Sequence, residues 1–249
     1  MRDLIACLRP AYLALVLELL ASASHGLAAQ SAAETGRWGV TFTPYVWMSG
    51  LEGTIGVGSN ITEVDVSFTE GAEDFEFGFA GLAEGRRYPW VLRLDFYYVS
   101  LSDEEAISAG DTLRVGQNEL MLHPEVGYAL LTRPWGGVDG LIGARYRNLG
   151  VDLSLEPLGV SADRSWLDGT VGAAVRYQPA EKWRLAAKAD VGAGGSNLSW
   201  QLYAGAGYAL GRCCSLVGAY RFLDVDYDKD EILYDVRLGG PTFGLTLRF

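Results

Sequence analysis

The chain has 249 residues, 49% hydrophobic and 12% aromatic, with 32 Gly against 8 Pro and 3 Cys. Its 31 acidic and 20 basic residues give a net charge of -11, which argues against a nucleic-acid partner, because phosphate backbones are gripped by clustered Lys and Arg. High apolar content and little Pro exclude a disordered chain, and many short Gly- and aromatic-rich segments favour one all-β domain, a class that reaches this length.

The first segment reads as an address. Arg2 and Arg9 precede an apolar stretch from Ala11 to Ala23 and then small residues through Ala28-Ala29-Gln30, the order of a secretory signal peptide. Glu18 and Pro10 are unusual in such a stretch, and Cys7 takes no role. We therefore expect residues 1–29 to be a signal peptide and residues 30–249 to form one exported domain. Removing 1–29 takes Arg2, Arg9, Asp3 and Glu18, so the remaining 18 basic and 29 acidic residues keep the charge at -11. No later run is long and apolar enough for a transmembrane helix. A membrane-spanning chain of this kind must close strands into a barrel.

Period-2 alternation maps strands near 38–49, 51–57, 61–68, 75–86, 88–101, 112–131, 137–155, 164–178, 182–195, 198–211, 214–227 and 231–249, twelve in all. In the first three, Gly50, Gly53, Gly56 and Gly58 mark either turns or bulges in one long bent strand, and merging two pairs leaves ten. Further on, Trp90, Leu92, Leu94, Phe96 and Tyr98 alternate with Arg93, Asp95 and Tyr97. Leu120, Leu122, Pro124, Val126 and Tyr128 alternate with Glu119, His123 and Glu125. Trp183, Leu185, Ala187, Ala189 and Val191 oppose Arg184, Lys188 and Asp190. Such alternation puts the two sets on opposite sheet faces. Its parity slips at Tyr146–Leu149, Phe222-Leu223 and Gly239-Gly240-Pro241, which we read as bulges.

Alternation alone does not say which solvent the apolar face meets. Aromatic placement favours lipid. Trp90, Tyr128, Trp135, Tyr177, Trp183, Tyr208 and Phe249 fall at one set of strand ends, and Tyr98, Trp166, Trp200 and Tyr227 near the other, as two headgroup layers select. Longer connections at Asp103-Glu104-Glu105, Glu156–Asp163 and Asp224–Glu231 alternate with brief ones at Arg86–Pro89, Thr132–Gly137 and Pro179–Lys182. Short periplasmic turns and longer external loops are the habit of such barrels, here with loops so small that the barrel should barely protrude.

Thr43-Pro44-Tyr45-Val46-Trp47, Gly50-Leu51-Glu52-Gly53 and Asp65-Val66-Ser67-Phe68 open the mature chain. Gly143-Ala144-Arg145-Tyr146, Asp190-Val191-Gly192, Ala219-Tyr220-Arg221-Phe222 and Gly239-Gly240-Pro241 follow in order. Over essentially its whole mature length the chain resembles a widespread family of uncharacterised bacterial outer-membrane β-barrel proteins, small and porin-like. The resemblance implies fold and a Gram-negative outer-membrane location, with membrane lipids and lipopolysaccharide as surroundings, and no activity to assign to particular residues. The last strand, with Phe243, Leu245, Leu247 and a final Phe249, resembles the terminal strand read by the barrel assembly machinery.

The expected fold is thus a closed antiparallel transmembrane β-barrel. Its interior would be lined by Glu84, Arg86, Arg93, Asp95, Glu119, His123, Glu125, Arg145, Arg147, Asp168, Arg176, Arg184, Lys188, Asp190, Arg221, Asp235 and Arg237. Two readings stay open: passive passage of small hydrophilic solutes, or mutually paired charges that plug and stiffen the barrel. A lipid-modifying enzyme is the competitor, and it needs a base. His123 is the one histidine left after signal removal, it faces inward with Glu119 and Glu125, and no Gly-x-Ser-x-Gly elbow accompanies it. A soluble periplasmic barrel around an apolar ligand is the other alternative. Asp224, Asp226, Asp228, Asp230 and Glu231 read as a solvated acidic loop without the Gly of a calcium loop. No cofactor or metal is expected, and adjacent Cys213 and Cys214 carry no assigned chemistry.

Overall fold

The structure is a computed structural model, and it describes residues 37–57, 60–66, 75–108, 111–155, 158–229 and 232–249. The expected signal peptide lies outside the described residues. Twelve strands run in chain order: β1 (Gly39–Trp47), β2 (Gly50–Val57), β3 (Asn60–Val66), β4 (Phe75–Arg87), β5 (Trp90–Ser108), β6 (Asp111–Arg133), β7 (Gly136–Leu155), β8 (Leu158–Ala180), β9 (Trp183–Gly194), β10 (Leu198–Ala209), β11 (Cys214–Lys229) and β12 (Ile232–Arg248). Neighbours in the chain pair antiparallel from β4 to β12, and β1 pairs with both β4 and β12, which closes a ring of ten. Closure removes the unpaired edges that hydrocarbon cannot hydrate.

The other two strands extend that wall at one end. β12 is long enough to pair with β1 along its last part and with β2 along its first part, and β3 adds to the far side of β2. Trp47 faces Thr242 and Gly50 faces Gly239 in one unbroken register, so β1 and β2 are a single bent strand interrupted at Met48 and Ser49. The bend is pinned by the Met48 N–H, which donates to the Pro241 carbonyl at 2.9 Å. Gly240 makes room for it, since a Cβ there would lie 1.9 Å from the Met48 oxygen.

Brief turns at Tyr88-Pro89, Pro134-Trp135 and Glu181-Lys182 gather at the end where β1 starts and β12 finishes, the periplasmic end by the habit of such barrels. At the other end the strands run on. β6 and β8 have 23 residues each, β7 has 20 and β5 has 19, against the 9–11 or so that cross a bilayer. The segments at Asp103-Glu104-Glu105, at 158–163 and at Asp224–Lys229 are therefore strand where loops were expected, and the wall stands well clear of the membrane.

Side-chain polarity records the change of solvent. Within the bilayer Val171, Ile142, Val191, Leu202 and Leu216 are exposed on the outer face, while Arg145, Asp168 and Arg221 are buried within. Further out the assignment reverses. On β11 Leu223, Val225 and Tyr227 are buried and Asp224, Asp226 and Asp228 point out; on β12 Tyr234, Val236 and Leu238 are buried and Asp235 and Arg237 are exposed. Water rather than hydrocarbon surrounds this part, so burial of apolar area drives it as in any soluble core. The expected bulges at Phe222-Leu223, Tyr146–Leu149 and Gly239-Gly240-Pro241 are absent, because the β7–β8 and β11–β12 registers pass through them without a shift. The parity changes because the environment changes.

At the turn end, Trp90 with Tyr128, Trp135 with Tyr177 and Trp183 with Tyr208 form edge-on pairs at 5.4, 5.8 and 5.1 Å between ring centres. They make one aromatic belt at the headgroup level. Trp166 and Tyr227, expected in the opposite belt, instead point inward and pack against each other with tilted rings, 4.8 Å between centres.

Candidate functional site: the barrel interior

Inward positions of ten tilted strands converge on a narrow bore, and long charged side chains meet there across it. Glu84, Arg86, Arg93, Asp95, Glu119, His123, Glu125, Arg145, Arg147, Asp168, Arg176, Arg184, Lys188, Asp190 and Arg221 all lie on inward positions of their strands. Asp235 and Arg237 do not. They stand on the outer face above the bilayer, where Arg237 pairs with Asp224 at 3.0 Å, and their misplacement follows from the polarity reversal. Several inward polar groups are not among the expected lining residues: Tyr45, Asp139, Ser199, Gln201 and Tyr203, together with Thr170 and Arg248, which alternation alone puts on the polar face. Asp139 shares the parity of Arg145 and Arg147 on β7 and was within reach of that signal.

Three networks result. Nearest the turn end, Arg86 forks onto Asp139 at 3.0 and 2.8 Å, Arg176 reaches the same carboxylate at 3.2 and 3.3 Å, and Glu84 ties Arg86 to Arg93 at 3.2 and 2.7 Å. In the middle, the Lys188 ammonium donates to Glu125 at 2.8 Å and lies 3.0 Å from Asp190, which also holds Arg145. Arg145 donates to the Ser199 hydroxyl at 3.1 Å, and that hydroxyl donates to Asp168 at 3.1 Å, with the Ser196 N–H and hydroxyl donating to Asp168 at 2.7 Å each. Above, Arg221 pairs with Asp95 at 3.1 Å, donates to Tyr45 at 2.9 Å and to Gln201 at 2.6 Å, and lies over the Trp47 ring. Arg147 binds Glu119, which accepts from the Tyr97 hydroxyl at 2.5 Å. Buried charges persist only when paired in this way.

His123 is fully buried, with Nε2 at 3.0 Å from the Thr170 hydroxyl and 3.5 Å from Glu125. Among the described residues His123, Glu125 and Asp190 are the one group whose ligand atoms approach closely enough for a metal ion. Lys188 already binds both of those carboxylates, so an ammonium supplies the cation that the group would otherwise attract.

An apolar stopper caps the networks on the external side. Tyr97, Met121, Leu149, Trp166, Leu223, Val225, Tyr227, Tyr234, Val236 and Leu238 form one buried cluster, with Trp47, Leu51 and Ile55 packed against it. Its contacts cross the bore: Trp166 of β8 on Tyr227 of β11, Arg147 of β7 over Tyr234 of β12, and Arg221 of β11 against the Met121 sulfur of β6. Beneath it remains a small hollow of about 50 Å³, lined in part by Tyr45, Asp95 and Arg221.

The backbone matches solved barrels. The outer membrane protease OmpT from Escherichia coli superposes with a TM-score of 0.62 at 9% identity, covering 89% of this chain and all of that one. The fold is that of a bacterial outer-membrane β-barrel. The translocator domain of the autotransporter NalP from Neisseria meningitidis (TM-score 0.47, 15% identity, 96% of this chain and 97% of that) and Ail, the attachment invasion locus protein of Yersinia pestis (0.40, 14%, 85% and 98%), are also similar. No protein-family model and no curated protein sequence matches the chain. At these identities the likeness is one of architecture. The barrel's own side chains must carry any statement about activity.

Proposed function

We propose that this outer-membrane barrel is a closed structural element of the envelope and conducts no general flow of solutes. The observation that carries the reading is the apolar stopper, in which rings and aliphatic groups of the described residues on opposite walls touch across the bore. A water-filled route would need a continuous lining of hydrated groups, and here most of the described charges below the stopper pair with one another across the bore instead. We further propose that it is not an enzyme. His123 is enclosed on all sides, its neighbours are Thr170 and Glu125, and neither a lipid on the outer wall nor a peptide at the rim reaches it. The final strand, with outward Phe243 on the lipid face, supports insertion through the barrel assembly machinery, and lipids and lipopolysaccharide are the partners its belt fits.

The test is conductance. Refolded protein inserted into planar bilayers should give no steps above background, and liposomes carrying it should not swell in small sugars. Steady single-channel openings would overturn the closed reading.

A further inference from the structure

The brief turns repeat one arrangement on the outer wall. Arg87 is the last outward residue of β4, directly opposite Trp90, which is itself opposite Tyr128. Arg133 ends β6 opposite Gly136, and Gly136 is opposite Tyr177, against whose ring Trp135 packs edge-on. In the third turn Lys182 lies over the Tyr208 ring at 6.0 Å, and Tyr208 is opposite Trp183. Residues directly opposite in a ladder share a sheet face, so the cations stand on the lipid side, each beside a Trp and Tyr pair. Val126, Val175 and Leu185 continue these faces into the exposed apolar belt. From the bilayer centre toward the turns the wall thus reads aliphatic, aromatic, cationic, the order in which hydrocarbon, interface and phosphate follow one another.

The cations at this end have no counterpart in the protein. The four brief connections, 87–90, 133–136, 180–183 and 209–214, hold Arg87, Arg133, Lys182 and Arg212 against Glu181, four positive charges to one negative in a chain whose net charge is -11. All four are exposed, and none has a carboxylate partner among the described residues. The cations of the bore, by contrast, meet carboxylates at hydrogen-bond distance. At the other end the described outer wall is acidic: Asp224, Asp226, Asp228 and Asp235 stand against Arg237, which Asp224 already holds. Anionic groups are therefore drawn to the turns and repelled from the rim above.

We propose that the turn end of the barrel is a recognition surface for anionic phospholipid headgroups of the periplasmic leaflet. The phosphates accept from Arg87, Arg133 and Lys182, and the adjacent Trp and Tyr rings pack on the glycerol and the upper acyl chains. The inference rests on the lipid-facing reading of the belt and is indifferent to whether the bore conducts.

The refolded protein would be placed in phosphatidylcholine vesicles with a minor share of lipid brominated in its upper acyl chains, carrying either a phosphatidylglycerol or a phosphatidylcholine headgroup. Quenching of Trp fluorescence is the readout, and Trp38, Trp90, Trp135 and Trp183, four of the seven Trp residues, stand at this end. At low salt the brominated phosphatidylglycerol should be preferred about fivefold, the scale of one cation beside an anionic headgroup. Raising salt to about 1 M should remove most of that preference. Arg87→Gln, Arg133→Gln and Lys182→Gln together should abolish it in a protein that heat-modifiable gel migration shows to be folded, and Arg237→Gln should leave it unchanged. Equal quenching by the two headgroups in the parent would overturn the proposal, as would a preference that ignores salt, survives in the folded triple variant or is lost with Arg237→Gln. Quenching by neither lipid would remove the lipid-facing belt along with it.

Discussion

The Arg221 guanidinium lies 4.6 Å from the centre of the Trp47 ring, on the level where the barrel interior passes from ion pairs to aromatic packing. The same group binds Asp95 and Tyr45 below the ring, so it joins the polar and apolar layers in one side chain. Replacing Arg221→Met leaves the Asp95 carboxylate buried without its cation, and breaking such a pair costs roughly 3–5 kcal/mol. Urea unfolding followed by Trp fluorescence should show that loss. The double change Arg221→Met with Asp95→Leu should recover most of it, and equal losses in the single and double variants would contradict the pairing.

The height of the wall is open to direct labelling. Asp235 and Asp163 are exposed on strands that rise above the bilayer, and Val171 is exposed at mid-belt. In intact cells a membrane-impermeant maleimide should label Asp235→Cys and Asp163→Cys but not Val171→Cys. The native Cys213 and Cys214 lie at the turn end and should stay unlabelled from outside. Labelling of those two in place of the introduced thiols would invert the orientation.

The two halves of the outer surface should also respond differently to charge. Val171 pairs with Ile142 and Val191 in the middle of the apolar belt, where an arginine costs about 2–4 kcal/mol of folding free energy in lipid. Val171→Arg should therefore fold poorly into vesicles. Asp235→Arg, above the membrane, should stay within about 0.5 kcal/mol of the parent. Similar effects at both sites would mean that the belt is misplaced.

Much of this architecture was legible because period 2 survives both solvents. The alternation along Trp183–Val191 and Trp90–Tyr98 gives strands, and Lys188, Asp190, Arg93 and Asp95 lie on inward positions. The same fact hid the polarity reversal. Where Arg221 gives way to Leu223, and Arg147 to Leu149, the inward face keeps its parity but changes its chemistry, which in sequence looks like a one-residue slip. Asp235 and Arg237 were assigned inward for that reason. Partners were out of reach altogether: Arg221 and Met121 meet from positions 100 residues apart, a consequence of closure that no local pattern carries. Neutral Ser199 and Gln201, on a strand poor in charge, gave no signal as strong as a lysine or an aspartate.

Gly240 has a role that the bulge reading obscured. Its missing side chain lets the Met48 carbonyl approach where β1 bends into β2. Gly240→Ala should destabilise the barrel by roughly 1–3 kcal/mol, the range for forcing atoms into a filled space. The outer hairpin of β2 and β3 should become sensitive to protease before the rest of the wall. A variant with parental stability and parental digestion would show that the two strands are not held at this point.

Lys188 supplies the positive charge between Glu125 and Asp190, and His123 completes a set of three possible ligands within 4.8 Å of one another. Removing the ammonium with Lys188→Ala should do two things. It takes from Glu125 and Asp190 the cation they share, leaving them to Arg93 and Arg145 alone, which should lower stability by roughly 3 kcal/mol. It also vacates the space that a divalent ion with oxygen and nitrogen ligands would take, so zinc should bind the variant and raise its unfolding midpoint while leaving the parent unchanged. Calorimetric titration with zinc separates the cases. If the parent bound zinc as well as the variant did, the lysine would not be the resident cation; if neither did, the three side chains would be too rigidly held to converge on an ion.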